Sequence, residues 1–398
     1  MFSFFSKTDK KTHLLIECGS ASVACAFLVT DADRKPKLVY QKRVSLDTQE
    51  TEDHRATLAT LTKILSKLLR EARSKGHAKL ENIDAPKRVS DITVTFTAPW
   101  YSTSTTRVNQ QYEEERTITE SYLTGLTTQA EERFYKEAAE LFSAEFREAE
   151  PVIIENTILQ TKLNGYATDN PTDREAFSFD AQLYTSAVPK PVFDGVESAI
   201  GEVFSIAHIT YHTLPLVSFI ALSDLFSSIS NALLIDISGE RTSLVTVHEG
   251  AIRNVSSFAG GTHHFIRRIA EKLNVGTGAA ASALAMHDLS KLDPASHDSI
   301  SNLALEHTNE WFNRYQEQVE KIKKDHPVSL RVVVIATGGM TEYFFTALKK
   351  HSEENTKEGV HLLQLTNEHL AKRLRFPESP PPDPFIALEA IVLADNEL

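Results

Sequence analysis

One acid at the end of an apolar run, followed by small residues and a second apolar run, has the makings of a phosphate and metal site. Residues 232–243, Ala-Leu-Leu-Ile-Asp-Ile-Ser-Gly-Glu-Arg-Thr-Ser, deliver Asp236 into such a turn, and Leu244–Val247 follow as a second β-rich run. A strand–turn–strand hairpin of this kind presents backbone N–H groups and a carboxylate at its tip, which suits a phosphate and its metal ion. Asp and Gly are also ordinary turn residues, so turn capping stands beside metal contact for Asp236. A similar pattern occurs near the start. Leu14-Leu15-Ile16 runs into Glu17-Cys18-Gly19-Ser20-Ala21-Ser22, then into Val23–Val29. Two such hairpins about 220 residues apart read as a duplicated unit. The candidate metal contacts are Glu17 and Asp236.

A third element belongs with these. Val332–Ala336 ends in Thr337-Gly338-Gly339-Met340-Thr341, and Glu342–Lys350 has a helical pattern. A Gly-Gly step between strand and helix lets a ligand approach the backbone beside a helix N-terminus. Backbone geometry alone is the other reading of Gly338 and Gly339.

The elements that must position these residues can be read along the chain. Leu38–Leu46 is a third strand. Residues 52–75 carry Leu58, Leu61, Ile64, Leu65, Leu68 and Leu69 at helical spacing, and Asp91–Thr97 alternates as a strand. Residues 98–191 change character: a polar strand-like stretch (Thr103–Gln111), a helix (Ser121–Phe146) and two β-rich runs (Val152–Tyr166 and Ala176–Val188) parted by the loop Asp169–Asp173. Phe193–Phe204 and Ser218–Ser228 then read as helices, as does Ser299–Lys323 with Trp311, Phe312 and Tyr315 as a core stripe. The expected division is 1–97 and 192–228 for a first half-domain, 98–191 for an insertion, 229–377 for a second half-domain, and 378–398 for a closing helix against the first. Pro380-Pro381-Pro382 marks a stiff connector before that helix.

Composition narrows the function classes. A chain of 398 residues is long enough for more than one domain, and 41% hydrophobic with 24% charged residues is ordinary for a globular protein. A net charge of −12 without a long basic cluster argues against a general nucleic-acid binder. Cys18 and Cys25 lack metal spacing and read as a reduced buried pair. No apolar run has transmembrane length and no secretory signal is visible, so a cytoplasmic location is expected. Met1-Phe2-Ser3-Phe4-Phe5 with Lys7, Lys10 and Lys11 is either a frayed tail or a short membrane-surface foot. No nucleophilic triad, zinc motif or Walker loop is present.

The order hairpin, insertion, hairpin, strand–Gly-Gly–helix resembles the actin-like ATPase superfamily. That resemblance implies an α/β fold of duplicated actin-like (ribonuclease H-like) domains. An inserted strand–helix–strand–strand (SHS2-type) α+β subdomain at this point resembles the branch containing the cell-division protein FtsA and the pilus assembly protein PilM. Asn164-Gly165-Tyr166 looks like that branch's turn between the last insertion strands, and Leu233–Val247 like its second phosphate hairpin. Gly250-Ala251-Ile252, Phe258-Ala259-Gly260-Gly261-Thr262 and Pro384–Ala390 also match its pattern. The chain is most similar to the PilM family, because it ends at Leu398 without the basic amphipathic helix that closes FtsA.

The resemblance implies a cytoplasmic scaffold of a type IV pilus or secretion-like machine, at the inner face of the plasma membrane. It implies ATP and Mg2+ in the interdomain cleft, against Glu17, Gly19, Ser20, Ala21, Asp236, Gly239, Arg241, Thr242, Gly260, Gly261, Gly338, Gly339 and Met340. It further implies a grip, across insertion and first half-domain, on the N-terminal cytoplasmic peptide of a PilN-like inner-membrane protein. Membrane association would come through that partner, with self-association an open option. An FtsA-like division adaptor and an interaction module with an empty cleft are the alternatives.

Departures from the pattern bear on chemistry. Glu17 stands where Asp is usual, one methylene longer. Glu240 adds a negative charge where phosphate would sit, and Arg241 is expected to pair with Glu240 or with phosphate. Ala279–Ala283 occupies the region where the family has an acid and a lysine. Efficient hydrolysis is therefore not expected. His263 and His264 read as surface or helix-start residues. His208 and His212 read as a structural pair without a nearby acid.

Overall fold

The computed structural model describes residues 10–32, 34–49, 52–205, 208–226, 229–288, 291, 293–329, 331–336, 344–350 and 361–395. Its first four strands are β1 (Lys11–Cys18), β2 (Ser22–Asp31), β3 (Arg34–Ser45) and β4 (Val89–Phe96). Between β3 and β4 lie α1 (His54–Glu71) and α2 (His77–Glu81), joined by a π-helical turn at Ala72–Gly76. The insertion follows as β5 (Ser102–Ile118), α3 (Glu120–Leu141), β6 (Pro151–Leu163), β7 (Tyr166–Ala167) and β8 (Arg174–Pro189). The chain returns through α4 (Lys190–Gly201), β9 (Ile209–Thr213) and α5 (Leu214–Leu225).

The second half carries β10 (Ala232–Ile237), β11 (Arg241–His248), β12 (Ala251–Ala259), α6 (Thr262–Leu273), α7 (Thr277–Asp288), α8 (Pro294–Ile322) and β13 (Arg331–Ala336). Residues 344–350 are the described part of α9, followed by β14 (His361–Gln364), α10 (Asn367–Ala371) and α11 (Pro384–Asp395).

The duplication is explicit in the sheets. One runs β3-β2-β1-β4-β9 and the other β12-β11-β10-β13-β14. In each, an antiparallel three-stranded meander meets two parallel strands at its first strand. The register is matched as well: Glu17 opposes Ala24, and Asp236 opposes Ser243. This repeated topology is the actin-like fold.

Burial explains the packing. In α1, Asp53 caps the start by accepting from the Ala56 N–H at 2.9 Å, and Leu61, Leu65, Leu68 and Leu69 form its buried face. The helix continues past the expected end because the π-helical turn seats Gly76 on Phe27, where an added Cβ would lie 2.4 Å from the ring. Helices α5 and α11 are buried on nearly every side, and their residues join Leu15, Ala24 and Ala26 of one sheet to Leu234, Val245 and Val333 of the other in one core. Each side of that core would expose a wide apolar face without the other. Trp311 and Phe312 sit in a separate core under the second sheet, with Tyr315 packed against it.

The inserted sheet runs β5-β8-β6-β7, with α3 laid across it through Tyr122, Leu123, Leu126 and Ala130, while Phe134 and Ala138 join the core of the first half-domain. Its tight turn uses Asn164 and Gly165 at φ 51° and 83°, and Asn164 Oδ1 accepts from the Phe177 and Ser178 N–H groups at 2.8 and 3.0 Å. Strand β5 is longer than its polar sequence suggests, because β8 pairs it far out into solvent. Helix α3 stops five residues before the expected end, and Ala144–Phe146 form a 3-10 turn instead. Cys18 and Cys25 are free and buried, and burial pushes the Cys25 thiol up to about 12.

Candidate functional site

The tips of the β1–β2 and β10–β11 hairpins face each other, and the acid of each is buried. They are balanced differently. Glu17, 2% exposed, receives the Arg43 guanidinium at 2.5 Å, and the same Arg43 bonds Ser22 Oγ at 2.6 Å and both carboxylate oxygens of Asp383 at 2.5 and 2.8 Å. Burial pushes Glu17 up, and Arg43 opposes that. Asp236, 7% exposed, has no hydrogen-bond partner on either oxygen among the described residues. Burial, reinforced by the Glu17 charge, pushes it well above the carboxylate range.

Glu389 of α11 is buried beside Glu17 and is pushed up in the same way. No set of three His, Cys, Asp or Glu side chains is placed to hold a metal among the described residues.

The tips are seated on each other. Ser20 Oγ accepts from the Glu240 N–H at 3.0 Å, and Ser238 Oγ donates to the Ala98 carbonyl at 3.2 Å. A Cβ added at Gly239 would lie 2.6 Å from Ala21 Cβ, and one at Gly261 would lie 2.3 Å from the Gly239 carbonyl oxygen. Backbone donors that a phosphate would use are engaged. Gly19 N–H bonds the Ser22 carbonyl, Ser238 N–H the Arg241 carbonyl, and the Gly260 and Gly261 N–H groups the Glu240 carbonyl. The first N–H groups of α6, from Thr262 and His263, bond the Ser238 and Gly239 carbonyls at 3.0 and 2.8 Å. Thr242 is wholly buried, donating to the Gly260 carbonyl and accepting from Trp311 Nε1 at 2.8 Å.

The orphaned Asp236 carboxylate suits a cation, whereas the seated tips and engaged amides do not suit a polyphosphate. Among the described residues, the hairpin tips as arranged do not fit a nucleotide. Gly338, Gly339 and Met340 lie outside the described residues, as do Met1–Phe5 and Lys7.

Several expectations need correction. Arg241 pairs with neither Glu240 nor the tip: it turns along β12, bonding Ser257 Oγ and the Ser257 carbonyl at 2.9 and 3.1 Å. Glu240 is held by Arg267 at 3.0 and 2.5 Å and by His263 at 3.2 Å. Burial would raise it, but the bonds from His263 and Arg267 bring it down to about 2. His263 is therefore a buried partner of Glu240, while half-buried His264 lies in tilted ring contact with His307. The signal for this was the i, i+4 spacing of His263 and Arg267, which puts both on one helix face.

His212 does have an acid. Glu155 of the inserted sheet faces its Nδ1 at 3.3 Å and also takes the Thr213 N–H, the Thr213 hydroxyl and the Ser186 hydroxyl at 3.0, 2.7 and 2.5 Å. His208 is exposed and apart from this network. The network ties the insertion to the end of β9.

Two open cavities flank the segment that follows α3. One, of about 550 Å³, lies between α1, α4 and that segment: Leu58, Ala59, Phe146, Ala149, Pro191 and Gly195 give it an apolar lining, with Arg55, Glu145 and Glu148 at its polar parts. Arg55 is spent on the Glu145 carbonyl at 2.9 and 3.1 Å. The other, of about 380 Å³, lies between that segment, the start of β5 and β12.

No family model and no curated protein matches this chain. A solved structure titled PilM-PilN type IV pilus biogenesis complex superposes on it with a TM-score of 0.62, covering 96% of both chains at 15% identity. The two share a fold along their whole length. The ethanolamine utilization protein EutJ from Carboxydothermus hydrogenoformans is more distant, at TM-score 0.44 and 14% identity over 96% of this chain and 89% of that one. The cytoplasmic domain of EpsL, an inner-membrane component of the type II secretion system of Vibrio cholerae, gives 0.36 and 8% over 96% and 95%.

Proposed function

We propose that this chain is an actin-fold scaffold of a type IV pilus or secretion-like assembly machine, gripping a short peptide from an inner-membrane partner of the PilN kind. The supporting observation is a whole-length fold shared with a PilM–PilN structure, combined with an apolar groove between the insertion and the first half-domain. The groove has the chemistry of a peptide-docking site. Leu58, Ala59, Phe146 and Ala149 offer apolar contact, while Glu148 favours a basic flank on the incoming segment.

The proposed setting is the cytoplasmic face of the plasma membrane. No helix among the described residues is long and apolar enough to cross a membrane, so attachment would come through the partner. Nucleotide enters this reading only as a state in which the tips have parted. The seating of Ser20 on Glu240 and of Ala21 on Gly239 favours a scaffold that works with its cleft shut.

The test is fluorescence anisotropy with labelled peptides copied from the cytoplasmic N-termini of single-span membrane proteins encoded beside this chain. A peptide that binds the protein and is lost on Ala59→Arg supports the groove. Binding unaffected by Ala59→Arg, in a variant that keeps its thermal transition, would remove it.

A further inference from the structure

We propose that the cavity between the insertion and the second half-domain binds a small phosphorylated anion, gripped by Arg147 and Arg241. Two arginines are the charged groups of this cavity, and no acid lines it. Arg147 makes no hydrogen bond or ion pair among the described residues. Arg241 spends Nε and one terminal nitrogen on Ser257, and its other terminal nitrogen has no hydrogen bond among the described residues.

Planar guanidinium groups of this kind take phosphate oxygens two at a time, and two of them match the charge of a phosphate dianion. At about 380 Å³ the space suits a small ligand rather than a chain.

The site is distinct from the closed hairpin cleft, because the Arg241 side chain leaves the tip for β12. It also shares a wall with the peptide groove. Phe142, Ser143, Ala144 and Arg147 face the anion cavity, while Glu145, Phe146, Glu148 and Ala149 face the groove. An anion held by Arg147 would order a segment whose other side meets the peptide. That consequence rests on the groove reading; the anion site does not.

The experiment is calorimetric titration of the full chain with inorganic phosphate and with pyrophosphate, repeated for Arg147→Gln and Arg241→Gln. Arg133→Gln, an exposed change on α3, serves as control. Saturable binding is expected, weakened about tenfold or more by each cavity substitution and untouched by the control. Hydrogen exchange over residues 141–149 should slow when pyrophosphate is added. No saturable heat from either anion, or equal affinity in Arg147→Gln, overturns the proposal. If Arg241→Gln perturbs β12, exposed Arg147 still decides the matter. An ATP arm separates the two sites: binding lost on Asp236→Asn but kept on Arg147→Gln belongs to the hairpin cleft and counts against this cavity as its source.

Discussion

The two hairpin tips are copies in topology and opposites in electrostatics. In the first, the acid stays at its place and is neutralised where it stands, by an arginine that also holds Asp383 of the closing helix region. In the second, the equivalent acid, Asp236, is left bare, while a neighbouring acid, Glu240, takes the arginine and the histidine. Duplication thus fixed the frame, and each half then solved its own charge problem. The bonds from Arg267 and His263 hold Glu240 ionised; Arg43 only opposes the upward push of burial on Glu17, and Asp236, with no partner among the described residues, is driven well toward its protonated form. The difference leaves one acid, Asp236, unsatisfied among the described residues.

That contrast can be broken from either side. The largest effect is expected from Arg43→Ala, which strands Glu17 and Asp383 together and should cost about 3–5 kcal/mol in chemical denaturation. Glu240→Gln should cost less, about 3 kcal/mol, since only Arg267 and His263 lose an ionised partner. A wedge at the contact comes next. Gly239→Ala pushes a methyl into Ala21, so about 1–3 kcal/mol should be lost, with faster hydrogen exchange at both tips. Asp236→Asn should act in the opposite sense, raising stability at neutral pH by about 1–2 kcal/mol by removing a lone buried acid.

The pH profiles sharpen the same contrast and carry the smallest signal. Asp236 has a raised value in the folded protein, so folding takes up a proton there, and stability falls as pH rises from the ordinary carboxylate range toward that raised value. The advantage of Asp236→Asn should therefore grow with pH. Glu240 is lowered from 4.5 to about 2, so its contribution is present above 4.5 and is lost as pH falls toward 2. The deficit of Glu240→Gln should shrink across that acid window. Denaturant midpoints measured across pH for both variants read these opposite slopes.

Local signals carried much of the fold. The alternating runs around Glu17 and Asp236 mark the hairpins, and the leucine spacing of 58–69 marks α1, because strand and helix periods are written in adjacent residues. The repeat of the hairpin even exposed the duplication. What the sequence left hidden was which charges meet. Arg43 reaches Asp383 across 340 positions, and Glu155 reaches His212 across 57. Such pairs follow from sheet order rather than from spacing. Arg241 illustrates the limit: adjacency to Glu240 suggested a pair, but neighbours along a strand point to opposite faces. The closing of the tips was also illegible, since Gly239 and Ala21 are small residues that suit an open phosphate loop equally well.

The claim that the cleft is shut by its own residues is tested most directly by calorimetric titration of the protein with ATP and magnesium, run beside Asp236→Asn. Seated tips should give no saturable binding below about millimolar nucleotide, and the two proteins should behave alike. Micromolar binding that disappears in Asp236→Asn would contradict this and establish a working nucleotide cleft.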